Sequence, residues 1–253
     1  MAQTFRQAEI LELARRSGKV TVDGLSDHFG VAVQTIRRDL ADLADTGHLQ
    51  RVHGGAILGS STQNIDYAQR QDLNRTAKAA IAKACAEILP DDASVFLNIG
   101  TTTEATAVEL GRHQNLMVVT NNINVATTLS PTTSKVILTG GTLRPKDGGL
   151  VGPMAIETIR NFKFDHAVIG CSALDVDGDI LDFDIQEVGV THAIINQSRH
   201  VTLVADHTKF DRNAPVRIGS IQQVDCFVTD RPLPPELQVK CDDWNTKVIV
   251  AGA

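Results

Sequence analysis

One stretch, Val33-Gln34-Thr35-Ile36-Arg37-Arg38-Asp39-Leu40 running on through Leu43, limits the folds open to this chain more than any other. Val33, Ile36, Leu40 and Leu43 recur at helical spacing, so the segment predicts an amphipathic helix whose inner stripe packs on other helices. Gln34, Thr35, Arg37 and Arg38 fall on the opposite arc within the first turns, and the acids Asp42 and Asp45 come only beyond that basic end. A short helix with Gln, Thr and two Arg near its N-terminus suits a DNA major groove, where Arg pairs with guanine, Gln with adenine, and Arg or Thr holds phosphate. The same residues would also suit an ordinary solvated face, so the flanking chain decides between the two.

The flanks favour DNA. Ile10, Leu13 and Ala14 space an amphipathic helix over residues 5–16, ended by Ser17-Gly18. Thr21 is placed to cap a second helix that carries Leu25 and Phe29 and stops at Gly30. Two short helices, the later one basic on its outer face, make a helix-turn-helix. After Thr46-Gly47, the run His48 to Ile57 reads as two brief strands about Gly54-Gly55, a wing from which Arg51 and His53 can reach the backbone or the minor groove. One local rule fails: Ala32 stands where Ser, Thr or Asp would cap the reading helix, at a cost of roughly 1 kcal/mol. That start therefore relies on packing or on a DNA phosphate.

The net charge of −6 argues against a nucleic-acid partner until its distribution is read. Residues 1–57 hold seven Lys/Arg and seven Asp/Glu, while the rest hold 17 and 23, so the acidity belongs to the second part. A neutral DNA-binding unit grips phosphate weakly on its own, and a homodimer or homotetramer is expected. No apolar run reaches the ~20 residues of a membrane helix, and the N-terminus has no apolar signal region, so a cytoplasmic protein without a membrane partner is expected. Cys85, Cys171, Cys226 and Cys241 lie far apart and read as reduced, mostly buried thiols. No cofactor, catalytic residue or metal site is expected. No His-x-x-x-His pair occurs, and Asp175-Val176-Asp177-Gly178-Asp179 departs from calcium-loop spacing, which makes it a solvated turn.

These patterns divide the chain into a DNA-binding domain at 1–58, a linker at 59–74 and a second domain at 75–253. In the last, a helix from Thr76 to Leu89 precedes apolar runs at 94–97, 116–120, 135–139, 166–170, 201–204, 226–229 and 247–250, with helical stretches between most of them. Alternation of this kind predicts an α/β fold with a largely parallel sheet. Ligands bind at the carboxyl ends of such strands. There stand Asn98-Ile99-Gly100-Thr101-Thr102-Thr103, then Asn121, then Gly140-Gly141 with Arg144, then Asp206 with Lys209. The Gly-Thr loop at a helix N-terminus favours a phosphate, Arg144 and Lys209 add cations, and the Asn and Asp groups suit hydroxyls, so a small phosphorylated polyol or sugar is the expected effector.

With those residues in view, the chain resembles the DeoR family of bacterial transcriptional regulators over nearly its full length. Gln34 to Leu40 is similar to the family's reading-helix motif and Arg51 to Ala56 to its wing. Gly100-Thr101-Thr102, Thr120-Asn121-Asn122, Gly140 to Arg144, Gly149 to Gly152 and Asp206 to Phe210 are similar to its effector module. The resemblance implies a winged helix-turn-helix joined to an α/β domain related in fold to ribose-5-phosphate isomerases. It also implies a repressor that leaves operator DNA when a phosphorylated metabolite binds. Asp147-Gly148-Gly149, Leu181 to Asp184, Ser198 to His200 and Val224-Asp225 resemble members of the family that answer to glycerol 3-phosphate; another sugar phosphate is the alternative. The family usually places Asp where Asn98 stands, and Lys then Arg where Thr191 and His192 stand. An isomerase with a DNA-binding appendage, using Glu187 as base, would lack the supporting Lys at 191. Activation in place of repression stays open.

Overall fold

The stripe of Val33–Asp45 becomes the inner face of a small helical unit. In a computed structural model, which describes residues 5–17, 19–46, 48–52, 54–58 and 64–252, this unit comprises α1 (Phe5–Ser17), β1 (Lys19–Thr21), α2 (Val22–Phe29), α3 (Val33–Asp45), β2 (Leu49–Val52) and β3 (Gly55–Leu58). Ile36, Leu40 and Leu43 are buried against Ile10, Ala14, Leu25 and Ala56. The Thr21 hydroxyl accepts the Gly24 amide at 3.2 Å and caps α2. β2 and β3 form the antiparallel wing, and β1 pairs with the other edge of β3. At Gly55 the strands approach so closely that a Cβ would lie 2.0 Å from the Val20 carbonyl oxygen. Asp39, buried on α3, takes the Arg6 guanidinium of α1 at 2.5 Å and 3.2 Å, which ties the reading helix to the first helix.

The second unit contains α4 (Tyr67–Asp72), α5 (Arg75–Glu87), β4 (Ser94–Leu97), α6 (Thr101–Leu110), β5 (Met117–Thr120), α7 (Ile123–Leu129), β6 (Lys135–Leu138), β7 (Thr142–Leu143) and β8 (Leu150–Val151). It continues through α8 (Pro153–Arg160), β9 (Phe164–Ile169), β10 (Ala173–Leu174), β11 (Asp179–Asp182), α9 (Ile185–Asn196) and β12 (Ser198–Val204). After a 3₁₀ turn at His207–Asp211 come β13 (Val216–Ser220), a second such turn at Ile221–Gln223, β14 (Cys226–Thr229), α10 (Pro235–Asp243) and β15 (Lys247–Val250). All seven apolar runs enter one parallel sheet, ordered β15-β14-β12-β9-β4-β5-β6. The strands are apolar on both sides because both faces are covered. Val95, Leu97 and Val118 pack under α5, α6 and α7, while Phe96, Val119 and Ile169 pack under α8 and α9. The four cysteines are free thiols, and Cys85, Cys226 and Cys241 are buried.

Strand order reverses beside β4: the chain steps outward through β5 and β6, then returns to place β9 on the other side. The crevice beyond the carboxyl ends of β4 and β9 is therefore the topological switch point, where open α/β sheets bind ligands. Two features were not legible as such. The segment expected as a linker at 59–74 carries α4, docked on the α/β unit, and residues 59–63 lie outside the described part. A small antiparallel sheet, β10-β11-β13, is added beside the main one. Its β10–β11 hairpin is closed by Asp175 to Asp179, whose Asp177 amide donates to the Asp175 carboxylate at 2.7 Å, so the acidic run is a turn.

Replacing Gly55 by Ala must push β1 from β3, and overpacking of this kind costs about 1–3 kcal/mol. The expected result is a lower melting temperature for the N-terminal unit with weaker DNA binding, while the α/β unit keeps its own transition; calorimetry of the full chain checks this.

Candidate functional site

Two surfaces carry chemistry. On α3, the residues left outside the buried stripe are Gln34, Arg37 and Arg38, all exposed, with Thr35 half-buried between them. The helix begins at Ala32 with no side-chain cap, which leaves its first-turn amides open to an anion. Arg51 is exposed on β2 of the wing, and His53 lies outside the described residues. Sequence and structure agree that this face is polar, basic and separate from the core.

The second surface lies at the switch point, and its charge is unbalanced. Lys78 of α5, Lys209 and Arg212 after β12, and Arg70 of α4 act on one another there, with Asp206 as the nearby acid. None of the three guanidinium nitrogens of Arg212 has a hydrogen-bond partner among the described residues, although all are buried, and the Arg70 Nε is in the same state. Burial pushes the Lys78 and Lys209 ammonium groups down to about 8, helped by Lys209 acting on Lys78 and by Arg212 acting on Lys209. Burial, with Arg70, lowers the Arg212 guanidinium as well, against the pull of Asp206. Burial alone would raise Asp206; the Lys209 charge and the Thr208 hydroxyl and amide overcome it and hold the carboxylate below its ordinary range. Buried cations without counter-charges are costly, and an anion with several oxygens would relieve the cost.

The Gly100 loop faces the same place. Gly100 starts α6 with no side-chain cap, and the Thr101 hydroxyl, like the Lys78 ammonium, meets the Arg70 carbonyl. Thr103 turns inward, its hydroxyl bound to the Asn98 and Gly100 carbonyls at 2.7 Å each, so it shapes the loop instead of facing a ligand. Thr102 is buried on the same turn. Asn98 donates to the Thr191 hydroxyl at 3.0 Å. The two positions singled out in the sequence as departures from the family pattern thus touch, through a neutral hydrogen bond. Asn121 is fully buried, with Nδ2 on the Leu150 carbonyl and Oδ1 without a partner among the described residues.

Two expected groups have partners of their own. Arg144 is not a free cation: Asp147 at 3.0 Å, Asp184 at 3.2 Å and Glu187 all pair with it. Glu187 is held well above the ordinary carboxylate range by burial and by Asp182, against the pull of Arg144. Gly140 and Gly141 follow β6, away from the β4–β9 crevice. A Cβ on Gly141 would lie 2.7 Å from the Val151 carbonyl oxygen, so that glycine serves the approach of the β7–β8 hairpin.

Comparison with known proteins fits both surfaces. The DeoR-like helix-turn-helix domain matches residues 6–62, and the DeoR C terminal sensor domain matches residues 73–231. The chain belongs to the DeoR family. It is 46% identical to the glycerol-3-phosphate regulon repressor of Escherichia coli (strain K12) over 98% of this chain and 99% of that one. It is 42% identical to the Haemophilus influenzae protein of the same name over 100% and 98%. Among solved structures it is similar to ribose 5-phosphate isomerase A from Methanocaldococcus jannaschii, with a TM-score of 0.41 and 11% identity over 54% of this chain and 55% of that one.

Three cations of this DeoR-family sensor domain escaped the reading of motifs. Lys78 shares the buried face of α5 with Ile81, Ala82 and Cys85, and a lysine on an apolar stripe was a readable signal. Arg212 follows Lys209 by three residues, just past the end of the 3₁₀ turn that carries Lys209. Arg70 stood in a stretch taken for linker.

Arg37→Ala should weaken binding to the preferred operator by ~1–3 kcal/mol and relax base choice; an unchanged preference in a competition assay would assign Arg37 to phosphate alone. Arg212→Met should stabilise the free protein, by about 1–3 kcal/mol if the guanidinium is as unsatisfied as its surroundings imply, and should remove any stabilisation by phosphate esters in a thermal-shift assay.

Proposed function

We propose that the chain is a repressor that holds operator DNA through the outer face of α3 and the wing, and leaves it when a small phosphate ester occupies the switch-point crevice. The carrying observation is the cluster of Arg70, Lys78, Lys209 and Arg212, in which the Arg212 guanidinium and the Arg70 Nε meet no acceptor among the described residues. A phosphate dianion supplies several acceptors and two charges at once. The open amides of the Gly100–Thr102 turn add donors, and Asp206 and the idle Oδ1 of Asn121 suit hydroxyls. The names of the relatives at 46% and 42% identity favour glycerol 3-phosphate as the effector.

The protein would act in the cytoplasm as an oligomer of its α/β domain, since one neutral helix-turn-helix neutralises few phosphates; no helix among the described residues is long and apolar enough to cross a membrane. Isomerase chemistry has less support, because Glu187 is engaged by Arg144 and Thr191 offers no cation beside it. Repression and release require different affinities of the two states for the ligand.

Glycerol 3-phosphate should raise the melting temperature of the full chain and lower its affinity for a duplex selected by the protein from a random pool. Lys209→Ala should keep DNA binding and lose both responses. The pH dependence follows from the lysines. Their folded values lie below the ordinary 10.5, so the unfolded chain binds more protons between about pH 8 and 10.5 and the free protein gains stability as pH rises there. Ligand binding needs the protonated ammonium groups, so the stabilisation by glycerol 3-phosphate should fade over the same window. A wild-type protein whose operator affinity ignores glycerol 3-phosphate and other triose, tetritol and sugar phosphates refutes the effector model.

A further inference from the structure

Segment 64–74 crosses the carboxyl end of the sheet and is fastened at four places. Asn64 donates to the Ser172 hydroxyl beyond β9 at 2.9 Å, and Ser172 donates on to Asp182 at 3.0 Å. The Tyr67 hydroxyl donates to Glu104 of α6 at 2.7 Å and accepts from Asn124 of α7 at 2.9 Å. Arg70 bonds Asp147, between β7 and β8, at 3.3 Å, and its carbonyl accepts the Lys78 ammonium. Asn74, left-handed at φ 52°, donates to Asp206 and Thr208 beyond β12 at 3.0 Å and 3.3 Å and turns the chain into α5. Six residues upstream of Asn64 the wing ends at Leu58.

The segment therefore joins the two units covalently and is fixed, through these polar contacts, to the loops and helix ends around the crevice. Two of its groups belong to the cation cluster: the Arg70 guanidinium, with Nε idle, and the Arg70 carbonyl, which occupies Lys78. An anion that draws Lys78 competes with that carbonyl, and one that draws the Arg70 Nε pulls on α4 itself. A cleft of about 740 Å³ along α4, lined by Tyr67, Lys78, Thr101, Glu104 and Asn124, leaves room beside the segment for it to shift.

We infer that segment 64–74 is a strap that transmits occupancy of the phosphate site to the DNA-binding unit. The inference rests on the effector reading above. It assigns to Asn64 and Tyr67, which hold the strap but stand outside the cation cluster, a role in coupling and none in binding either ligand.

The test uses the full chain with Tyr67→Phe and Asn64→Ala, and Ser94→Ala as a control that loses its contacts with Asp165 at the opposite end of the sheet. Affinity for glycerol 3-phosphate is read by calorimetry, and affinity for the selected duplex by fluorescence anisotropy with and without it. The strap predicts that both variants bind each ligand alone within about threefold of wild type, while the effector-driven loss of DNA affinity shrinks tenfold or more; Ser94→Ala retains it. Coupling equal to wild type in both variants overturns the inference while leaving the effector reading standing. Loss of glycerol 3-phosphate binding itself also overturns it, because the segment would then be only a wall of the pocket. A wild-type chain indifferent to glycerol 3-phosphate refutes the effector reading and the strap together, a result distinct from either of these.

Discussion

Positive charge held out of water without enough negative charge to meet it organises the α/β unit. Lys78, Lys209, Arg212 and Arg70 converge on a crevice in which Asp206 is the nearby acid, and the fold tolerates this because a large, two-sided sheet core pays elsewhere. A few paces away the opposite arrangement holds, with Arg144 surrounded by Asp147, Asp184 and Glu187. One cluster is closed on itself; the other leaves Arg212 and the Arg70 Nε without acceptors among the described residues. Asp147 joins them, since it meets both Arg144 and Arg70.

The N-terminal unit separates its roles by face with similar economy. Asp39 sits in the middle of a motif that reads as basic, yet it points inward and anchors α3 to Arg6. The two arginines just before it, Arg37 and Arg38, are left exposed. A reading helix must be rigid relative to its own domain for base contacts to carry meaning, and the Arg6–Asp39 ion pair together with the Ile36–Leu40–Leu43 stripe supplies that rigidity.

Much of this was legible because local patterns and tertiary structure point the same way. Apolar runs marked all seven strands of the parallel sheet, since strands buried on both faces need no alternation, and the spacing in Val33–Leu43 marked α3. What escaped depends on contacts distant in sequence. Arg144 looked like a pocket cation from its place after β6, and only the fold brings Asp184 and Glu187 to it. Gly140-Gly141 resembled a ligand loop, but the approach of Val151 explains it. α4 is six residues long with no buried side chain, so no apolar periodicity announced it; it and its flanks meet polar partners on two helices and three loops far away in sequence. The neutral contact between Asn98 and Thr191 likewise joins two departures that seem unrelated along the chain.

The short path between the wing and the first anchor of the α/β unit sets a geometric scale. From Leu58 to Asn64 there are six Cα steps, which at 3.8 Å each span at most about 23 Å. Two reading helices on one face of DNA must stand about 34–36 Å apart, or a multiple of it, to meet successive half-sites. In the oligomer proposed above, each reading helix would stay within that reach of its own Asn64 anchor, so the distance between anchors of neighbouring subunits would limit which half-site separations are accessible.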